Sequence, residues 1–233
     1  MEVLDFVSTD IPFSDLSREL DPQIVFHENL AYEKKAFDLT RDVPLRRRLF
    51  KLAEENYVLS LTLHHIAYDG YSLGILKREL GQLYSHHAYD TTIHLPPLPI
   101  QFRDFAAWQR LPQQEALQHS KLKYWISQLR DNVPAEFPTD FVRPKVLPYD
   151  AGLAKFHVDA NVVAKMTAIG SELGLTEFMV LLTMFRLLHY RYSGVLDATI
   201  GTLNGNRTRE EIEGLVGFFV DTSCLRIRLE DHT

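Results

Sequence analysis

Residues 59–70 read LSLTLHHIAYDG. In the first half of this stretch leucines alternate with Ser60 and Thr62, which is the pattern of a half-buried strand. After Gly70 the apolar residues repeat at helical spacing, at Leu73, Leu76, Leu80, Leu83 and Tyr84. Residues 64–70, which we call the motif loop, are therefore predicted to join a buried strand to a buried helix.

The motif loop carries the chemically richest side chains of the sequence. A histidine at the end of a strand is well placed for proton transfer, because its ordinary pKa lies near working pH. Asp69 follows His65 by four residues and is placed either to orient the imidazole or to lock the loop through an ion pair. Gly70 permits a tight turn and allows a backbone N–H to face a substrate.

Three other interpretations of the motif loop stay open. A histidine is often a structural residue whose hydrogen bonds are satisfied. A metal site is disfavoured, because the adjacent side chains of His64 and His65 point to opposite faces of a strand. Nucleophilic catalysis is weaker still, because Ser72 lies outside any G-x-S-x-G turn and Cys224 lies in a predicted strand.

Periodicity predicts further elements on both sides of the motif loop. Helices are expected over about residues 21–35, 102–108, 113–130, 162–173 and 176–192, and strands over 45–53, 57–63, 153–158, 199–203 and 219–229. The helix over 176–192 is apolar almost all round, so we expect it to be buried. Residues 133–150 hold four prolines and no sustained period, which predicts a linker.

Composition narrows the class of protein. The 233 residues have a formal net charge of -6 and a single cysteine. The cysteine count excludes an intrachain disulfide and zinc sites built on several cysteines, and favours a reducing, cytoplasmic setting. The acidic balance argues against nucleic-acid binding. No signal peptide is recognised, and the most apolar stretch, residues 178–188, is too short to span a membrane.

Three segments together resemble the condensation domains of nonribosomal peptide synthetases. The motif loop resembles the family's HHxxxDG motif. Residues 102–108, FRDFAAW, are similar to its YxDYAxW segment, with phenylalanine at the first position. Residues 200–222 resemble IGTPxxxR…ExLIGFFVNT, with Leu203 in place of proline and Asp221 in place of asparagine.

The resemblance implies an α/β (α+β layered) chloramphenicol acetyltransferase-like fold of two lobes with a substrate tunnel between them. Residues 1–135 then form most of the N-terminal lobe, 136–150 a linker, and 151–233 the beginning of the C-terminal lobe. The family's N-terminal HExLRT-like segment and everything after GFFVNT are missing. We therefore expect the fold to be incomplete at both ends, apolar surface to be exposed around residues 219–229, and the chain alone to form little amide.

The resemblance also implies a reaction and its partners. Condensation domains join acyl groups held as thioesters on the phosphopantetheine arms of carrier proteins. His65, the second histidine, is then the catalytic residue, acting as a general base or positioning the acceptor amine. No directly bound cofactor and no metal is expected. The expected partners are carrier proteins and other synthetase domains, with no nucleic acid and no membrane.

Several residues are expected to support His65. His64, Asp69 and Gly70 complete the motif, and the Gly70 amide is a candidate hydrogen-bond donor to the thioester carbonyl. Since a hairpin turn centred on Glu55 places Arg47 opposite Leu63, we expect an Arg47–Asp69 ion pair, with a solvated basic run over 46–48 as the alternative.

Other residues are assigned to the substrate or to the core. Ser72, Asn206 and Arg207 are candidate substrate-binding residues, and for the last two surface polarity is an equal alternative. Phe105 and Trp108 are expected in the core rather than the site.

Two other functions compete with condensation. One is a non-catalytic remnant or docking fragment that only contacts carrier proteins. The other is a stand-alone acyltransferase of the same fold, which needs only HxxxDG. The intact HHxxxDG disfavours heterocyclisation domains, and Tyr71-Ser72-Leu73-Gly74 looks more like a condensation than an epimerisation domain.

Overall fold

A computed structural model of the chain describes residues 10–33, 35–146 and 152–230. It confirms a mixed helix and sheet fold. The strands are β1 (Phe13–Asp15), β2 (Leu45–Ala53), β3 (Asn56–Leu63), β4 (Asp197–Asn204) and β5 (Asp221–Arg228). The helices are α1 (Pro22–Glu33), α2 (Gly70–Tyr89), α3 (Phe102–Gln109), α4 (Pro112–Gln128), α5 (Ala160–Glu172), α6 (Glu177–Ser193) and the short α7 (Glu210–Glu213).

The chain divides into two compact units. The first contains the residues up to 118 together with 203–221, and the second contains 119–202 together with the residues from 222 onward. The expected lobes over 1–135 and 151–233 refer to the family's whole domain and stay a prediction. Part of the expected linker, residues 147–150, lies outside the described residues, as does residue 151.

The first unit contains a three-stranded sheet in the order β1-β2-β3. β1 runs parallel to β2, and β2 and β3 form the predicted antiparallel hairpin. Leu45 lies opposite Leu63, and Arg47 lies opposite Leu61 rather than the predicted Leu63. The reason is that pairing continues to Ala53 and Asn56 after an irregularity at residue 52, so the turn is shorter than predicted.

One face of this sheet forms a small core. Phe50 is completely buried, with Leu16 and Leu52 beside it. The ring of Phe26 on α1 meets the Phe50 ring edge-on, with the ring centroids 5.1 Å apart. On the same face, Nε of Arg48 lies 2.7 Å from a carboxylate oxygen of Glu33, which ties the end of α1 to β2.

The alternation predicted for β3 is present, but its leucines are not on the buried face. Leu59 and Leu61 are exposed, whereas Val58 packs against the Phe50 cluster. The face that carries Phe50 is the one covered by α1, and residues of opposite parity on a strand point the other way.

A second core cluster in the first unit joins α3 to the segment around α7. Phe105, Ile212, Leu215 and Phe219 are buried together, with Ile100, Phe102 and Trp108 packed against them. The expected core role of Phe105 and Trp108 is thus confirmed. The helix α3 begins with a capping box, in which the Gln101 and Asp104 side chains reciprocally satisfy backbone groups of the first turn.

The second unit contains α5 and α6 and most of the two-stranded β4-β5 sheet. The predicted glycine stops are confirmed, since Gly174 after α5 and Gly194 at the end of α6 both have positive φ. The fully buried guanidinium of Arg186 on α6 donates to the carbonyl oxygens of Val195, Leu196 and Ile227. These bonds connect α6 to the residues just before β4 and to β5.

Two predictions for the second unit are wrong. Residues 153–158 form no strand, because no described segment pairs with them. The helix α6 is not buried all round: only Val180, Arg186 and His189 are, and the apolar side chains of its other faces remain exposed.

Around residues 219–229, where exposed apolar surface was expected, Phe219 is buried and β5 is mostly half-buried.

Among the described residues no single helix is both long enough and apolar enough to cross a membrane. The helices α5 and α6, which are bent by 113° against each other, satisfy the length and composition criteria only as a pair.

Phe50→Ala should lower the free energy of unfolding by about 3–5 kcal/mol, because it removes a fully buried ring and leaves a cavity. Leu61→Ala on the opposite face is the matched control and should cost less than about 1 kcal/mol, since that side chain is exposed. Urea unfolding followed by circular dichroism measures both. Equal losses for the two variants would contradict the assignment of the buried face.

Candidate active site

The motif loop begins where β3 ends. The backbone N–H of His64 donates to the Pro44 carbonyl at 3.0 Å, and residues 65–67 form one 3-10 turn. Nδ1 of His64 accepts a hydrogen bond from the Ile66 N–H at 3.1 Å, so a neutral His64 carries its proton on Nε2. The ring also meets Phe37 edge-on at 5.8 Å. His64 is thus held in place as part of the loop's structure.

Asp69 is completely buried and caps the N-terminus of α2. Its Oδ1 accepts from the Ser72 N–H at 2.8 Å and lies 2.7 Å from the Ser72 hydroxyl. Its Oδ2 accepts from the Phe219 N–H at 3.1 Å, and Nη2 of Arg207 lies 3.4 Å from Oδ1. One carboxylate therefore joins the start of α2 to a segment 150 residues further along the chain.

These contacts determine the charge state of Asp69. Burial by itself raises the pKa of the carboxyl group. The hydrogen bonds from Ser72 and Phe219 and the positive charge of Arg207 outweigh burial, so the pKa lies below its ordinary value. Asp69 is consequently ionised at neutral pH, and its role is to hold the motif loop.

The expected Arg47–Asp69 ion pair is wrong, because the cation that the structure brings to Asp69 is Arg207. Arg47 lies on β2 opposite Leu61, two residues short of the strand end from which the motif loop continues. The correct partner lies 138 residues from Asp69 in the sequence, beyond the reach of reasoning about a hairpin register.

Arg207 is a buried support rather than the predicted substrate-binding residue. Its side chain is only 6% exposed. Nη1 donates to the carbonyl oxygens of Ile212 and Leu215 at 2.6 and 2.9 Å. The guanidinium lies over the rings of Phe219 and Tyr71, 4.1 and 4.7 Å from their centroids. All these contacts are within the protein, so the guanidinium stabilises the fold and is not available to bind a substrate.

Ser72 is likewise not available to a substrate. It is fully buried, and its hydroxyl accepts from the Gly217 N–H at 3.1 Å and from Nη2 of Arg207 at 2.9 Å. Its single proton faces Asp69 Oδ1 at 2.7 Å and the Gly217 carbonyl at 2.8 Å. Ser72 thus connects the first turn of α2 to residues 217–219. We call Asp69, Ser72, Arg207 and the backbone of residues 217–219 the Asp69 network.

Glycine is required at position 217 because the Phe102 ring lies against the backbone there. A β-carbon at this position would lie 2.2 Å from Cδ2 of Phe102 on α3. The neighbouring Phe219 ring meets Phe102 edge-on at 5.1 Å. Residues 217–219 therefore contact both the motif loop and α3 inside the first unit. The structure thus assembles the three sequence segments that pointed to the family.

His65 differs from His64 in being exposed. Its ring stacks on Tyr68 and meets Phe218 edge-on. Gly70, the first residue of α2, is also exposed, and a β-carbon there would meet nothing within 4 Å. Gly70 does not have the left-handed backbone that a tight turn needs, so what its missing side chain provides is open space.

Asn206 has a left-handed backbone with φ of 50°, and its N–H donates to Oδ1 of Asn204 at 3.0 Å. Its predicted role in substrate binding stays a prediction. In the described part of the chain no group of three or more His, Cys, Asp or Glu residues is arranged to hold a metal ion.

Comparison with known proteins gives the family. A sequence profile described as the condensation domain matches residues 5–233. The chain belongs to the condensation-domain family. It is 45% identical over 202 residues to the cyclosporin synthetase simA of Tolypocladium inflatum, covering 86% of this chain and 1% of that protein. It is 44% identical over 199 residues to the beauvericin nonribosomal cyclodepsipeptide synthetase of Beauveria bassiana, covering 84% and 6%.

Solved structures agree with the fold. The X-domain in its complex with OxyB from teicoplanin biosynthesis is 28% identical with a TM-score of 0.78, covering 95% of this chain and 49% of that chain. The first condensation domain of the CDA synthetase is 15% identical with a TM-score of 0.70, covering 98% and 51%. This condensation-domain chain therefore spans about half of these two solved chains and only a few per cent of the two synthetases named above.

Asp69→Asn should lower the free energy of unfolding by about 3 kcal/mol, because it leaves Arg207 buried without its counter-charge. The native pKa of Asp69 is depressed, so its contribution is present above the unfolded-state pKa of about 3.9 and is lost as the pH falls through the native value. Melting curves should therefore show a constant difference between the two proteins from about pH 7 to 5, and a shrinking difference below about pH 4. A difference that grows on acidification would contradict the ionised state.

Gly217→Ala should destabilise the protein by about 1–3 kcal/mol, because the new methyl group overlaps the Phe102 ring. Gly70→Ala is the matched control, and it should change stability by less than about 0.5 kcal/mol because the space around it is open. Thermal unfolding of the two variants measures this. An equally stable Gly217→Ala protein would show that residues 217–219 do not pack on α3.

Proposed function

We propose that the chain catalyses amide-bond formation in nonribosomal peptide synthesis, by transfer of an acyl or peptidyl group from a carrier-bound thioester to an acceptor amine. The observation that carries the proposal is the contrast between the two histidines. The loop that holds them is anchored by the buried Asp69 network, yet His65 is exposed, whereas His64 is half-buried and its Nδ1 accepts from the Ile66 N–H. A rigid loop with one exposed base is the arrangement that a proton transfer needs.

In the proposed reaction the acceptor nitrogen attacks the thioester carbonyl carbon. A carbon–nitrogen bond forms, and collapse of the tetrahedral intermediate breaks the carbon–sulfur bond. His65 accepts the proton that the amine loses and returns it to the departing thiolate, so that the thiol and the amide are the products and the imidazole is restored. The step needs no oxidant and no bound cofactor.

Gly70 supports the proposal from the start of α2. The first N–H groups of a helix have no acceptor within the helix, and they carry the positive end of its dipole. Because Gly70 is exposed and lacks a side chain, an oxygen atom of the substrate has room to approach its N–H. We assign this N–H as a donor to the oxyanion of the tetrahedral intermediate.

The proposed partners follow from the same reaction. The acyl groups arrive on phosphopantetheine arms of carrier proteins, and other synthetase domains supply and remove them. The relatives named above are synthetases of which this chain matches a small part, which supports that context. The proposed setting is the cytoplasm, where aminoacyl thioesters are formed.

If the chain is a non-catalytic carrier-docking fragment, its function does not depend on the His65 imidazole. A docking surface needs the loop only for its shape, so replacement of an exposed imidazole would leave its function intact. A stand-alone acyltransferase would in turn accept a soluble amine in place of a carrier-bound one. The choice of acceptor in one assay separates these alternatives.

His65→Ala should lower turnover by about 100-fold or more, the contribution typical of a general base, without changing thermal stability. The assay uses the protein as its source makes it, a panel of aminoacyl carrier proteins as donors and acceptors, and mass spectrometry of the product. His87→Ala, which removes another exposed histidine of the first unit, is the control and should leave turnover unchanged.

Unchanged turnover in His65→Ala would overturn the catalytic role. Carrier binding without product in the unmodified protein would favour the docking fragment. Product formed with a free amine, and none with a carrier-bound amine, would favour the stand-alone acyltransferase. A separate reaction with the 233-residue chain alone, under the same conditions, tests the expectation that it forms little amide.

A further inference from the structure

The imidazole of His65 contacts two aromatic rings. The Tyr68 ring stacks on it, with the centroids 5.2 Å apart and the planes inclined by 21°. The Phe218 ring meets it edge-on, with the centroids also 5.2 Å apart and the planes at 85°. One ring therefore covers a face of the imidazole and the other stands perpendicular to it. We call this pair the aromatic clamp.

The clamp provides the contacts that orient the imidazole within the described part of the chain. No described residue forms a hydrogen bond with either ring nitrogen of His65. His64 differs, since its Nδ1 is occupied by the Ile66 N–H. An exposed side chain without hydrogen bonds has several staggered rotamers open to it. Aromatic packing restricts them while leaving both nitrogens free to exchange protons with a substrate.

Both clamp residues are fixed by the Asp69 network. Tyr68 directly precedes Asp69, and Phe218 lies between Gly217 and Phe219. Gly217 is bonded to the Ser72 hydroxyl, and the Phe219 N–H is bonded to Asp69 Oδ2. Phe218 itself is 44% exposed, so its ring has no place in the buried cluster that holds its neighbour Phe219. The side chain of Phe218 therefore contacts His65 at the surface and is not part of the buried cluster.

We propose that Tyr68 and Phe218 are positioning residues that hold the His65 imidazole in its reactive orientation. This inference rests on the proposed function. The clamp acts on orientation, so its loss reduces the fraction of enzyme whose base is aligned with the acceptor amine. Misalignment of a catalytic group lowers kcat strongly while substrate affinity changes little.

Tyr68→Ala and Phe218→Leu test the clamp. Each should lower kcat by about tenfold or more with KM changed less than about threefold. Tyr68→Phe keeps the stacked ring and should restore kcat to within about twofold of the unmodified protein. Tyr57→Ala removes an exposed tyrosine from β3 and should leave both constants unchanged. Melting temperatures of all the variants establish that they fold.

Nuclear magnetic resonance of the histidine ring carbons gives a second readout that does not depend on turnover. Stacked rings shift the Cε1–H and Cδ2–H signals of His65, which are assigned by their loss in His65→Gln. These signals should move in Tyr68→Ala and Phe218→Leu, and those of His64 should stay in place.

Unmoved His65 signals in both variants would overturn the clamp. Moved signals with an unchanged kcat would overturn its positioning role. An unmodified protein that is as inactive as His65→Ala would instead count against the proposed function, while the position of the His65 signals still decides whether the clamp exists.

Discussion

A buried carboxylate must be matched by donors and a counter-charge, and Asp69 meets this requirement with groups drawn from widely separated parts of the chain. Ser72 supplies two donors from the next turn, whereas the Phe219 N–H and the Arg207 guanidinium come from about 140–150 residues away. Leaving a buried charge unpaired is strongly unfavourable, so these segments of the first unit form together or not at all. The placement of the motif loop depends on that condition.

Adjacent residues of the motif loop have different roles. His64 and Asp69 turn inward and use their polar atoms on the protein, while His65 and Gly70 face outward with space around them. Ser72 and Arg207 carry groups typical of binding sites, but those groups form hydrogen bonds within the Asp69 network. His65 and Gly70 are therefore available for chemistry because they are not used to stabilise the fold. Asp69, Ser72 and Arg207 make the loop rigid because their polar groups are bonded within the protein.

Sequence reasoning succeeded where a signal is local. The hairpin, the helix after the motif loop and the glycine stops at 174 and 194 follow from alternation, helical spacing and capping preferences. It failed where the outcome depends on distant partners. Residues 153–158 have strand-like composition and no strand to pair with, and α6 keeps exposed apolar faces. The hairpin pattern favours Arg47 as the partner of Asp69, whereas the cation that pairs with it, Arg207, lies 138 residues away in the sequence.

The sequence by itself determined the family and the order of most elements, because motif spacing and periodicity are properties of neighbouring residues. Only the tertiary structure decided which cation pairs with Asp69, why Gly217 must lack a side chain and that the Phe218 ring contacts His65. Each of these is a contact between residues far apart in the chain. Ion pairing, steric overlap and edge-on ring packing between such residues depend on distances of a few ångströms that no local pattern encodes.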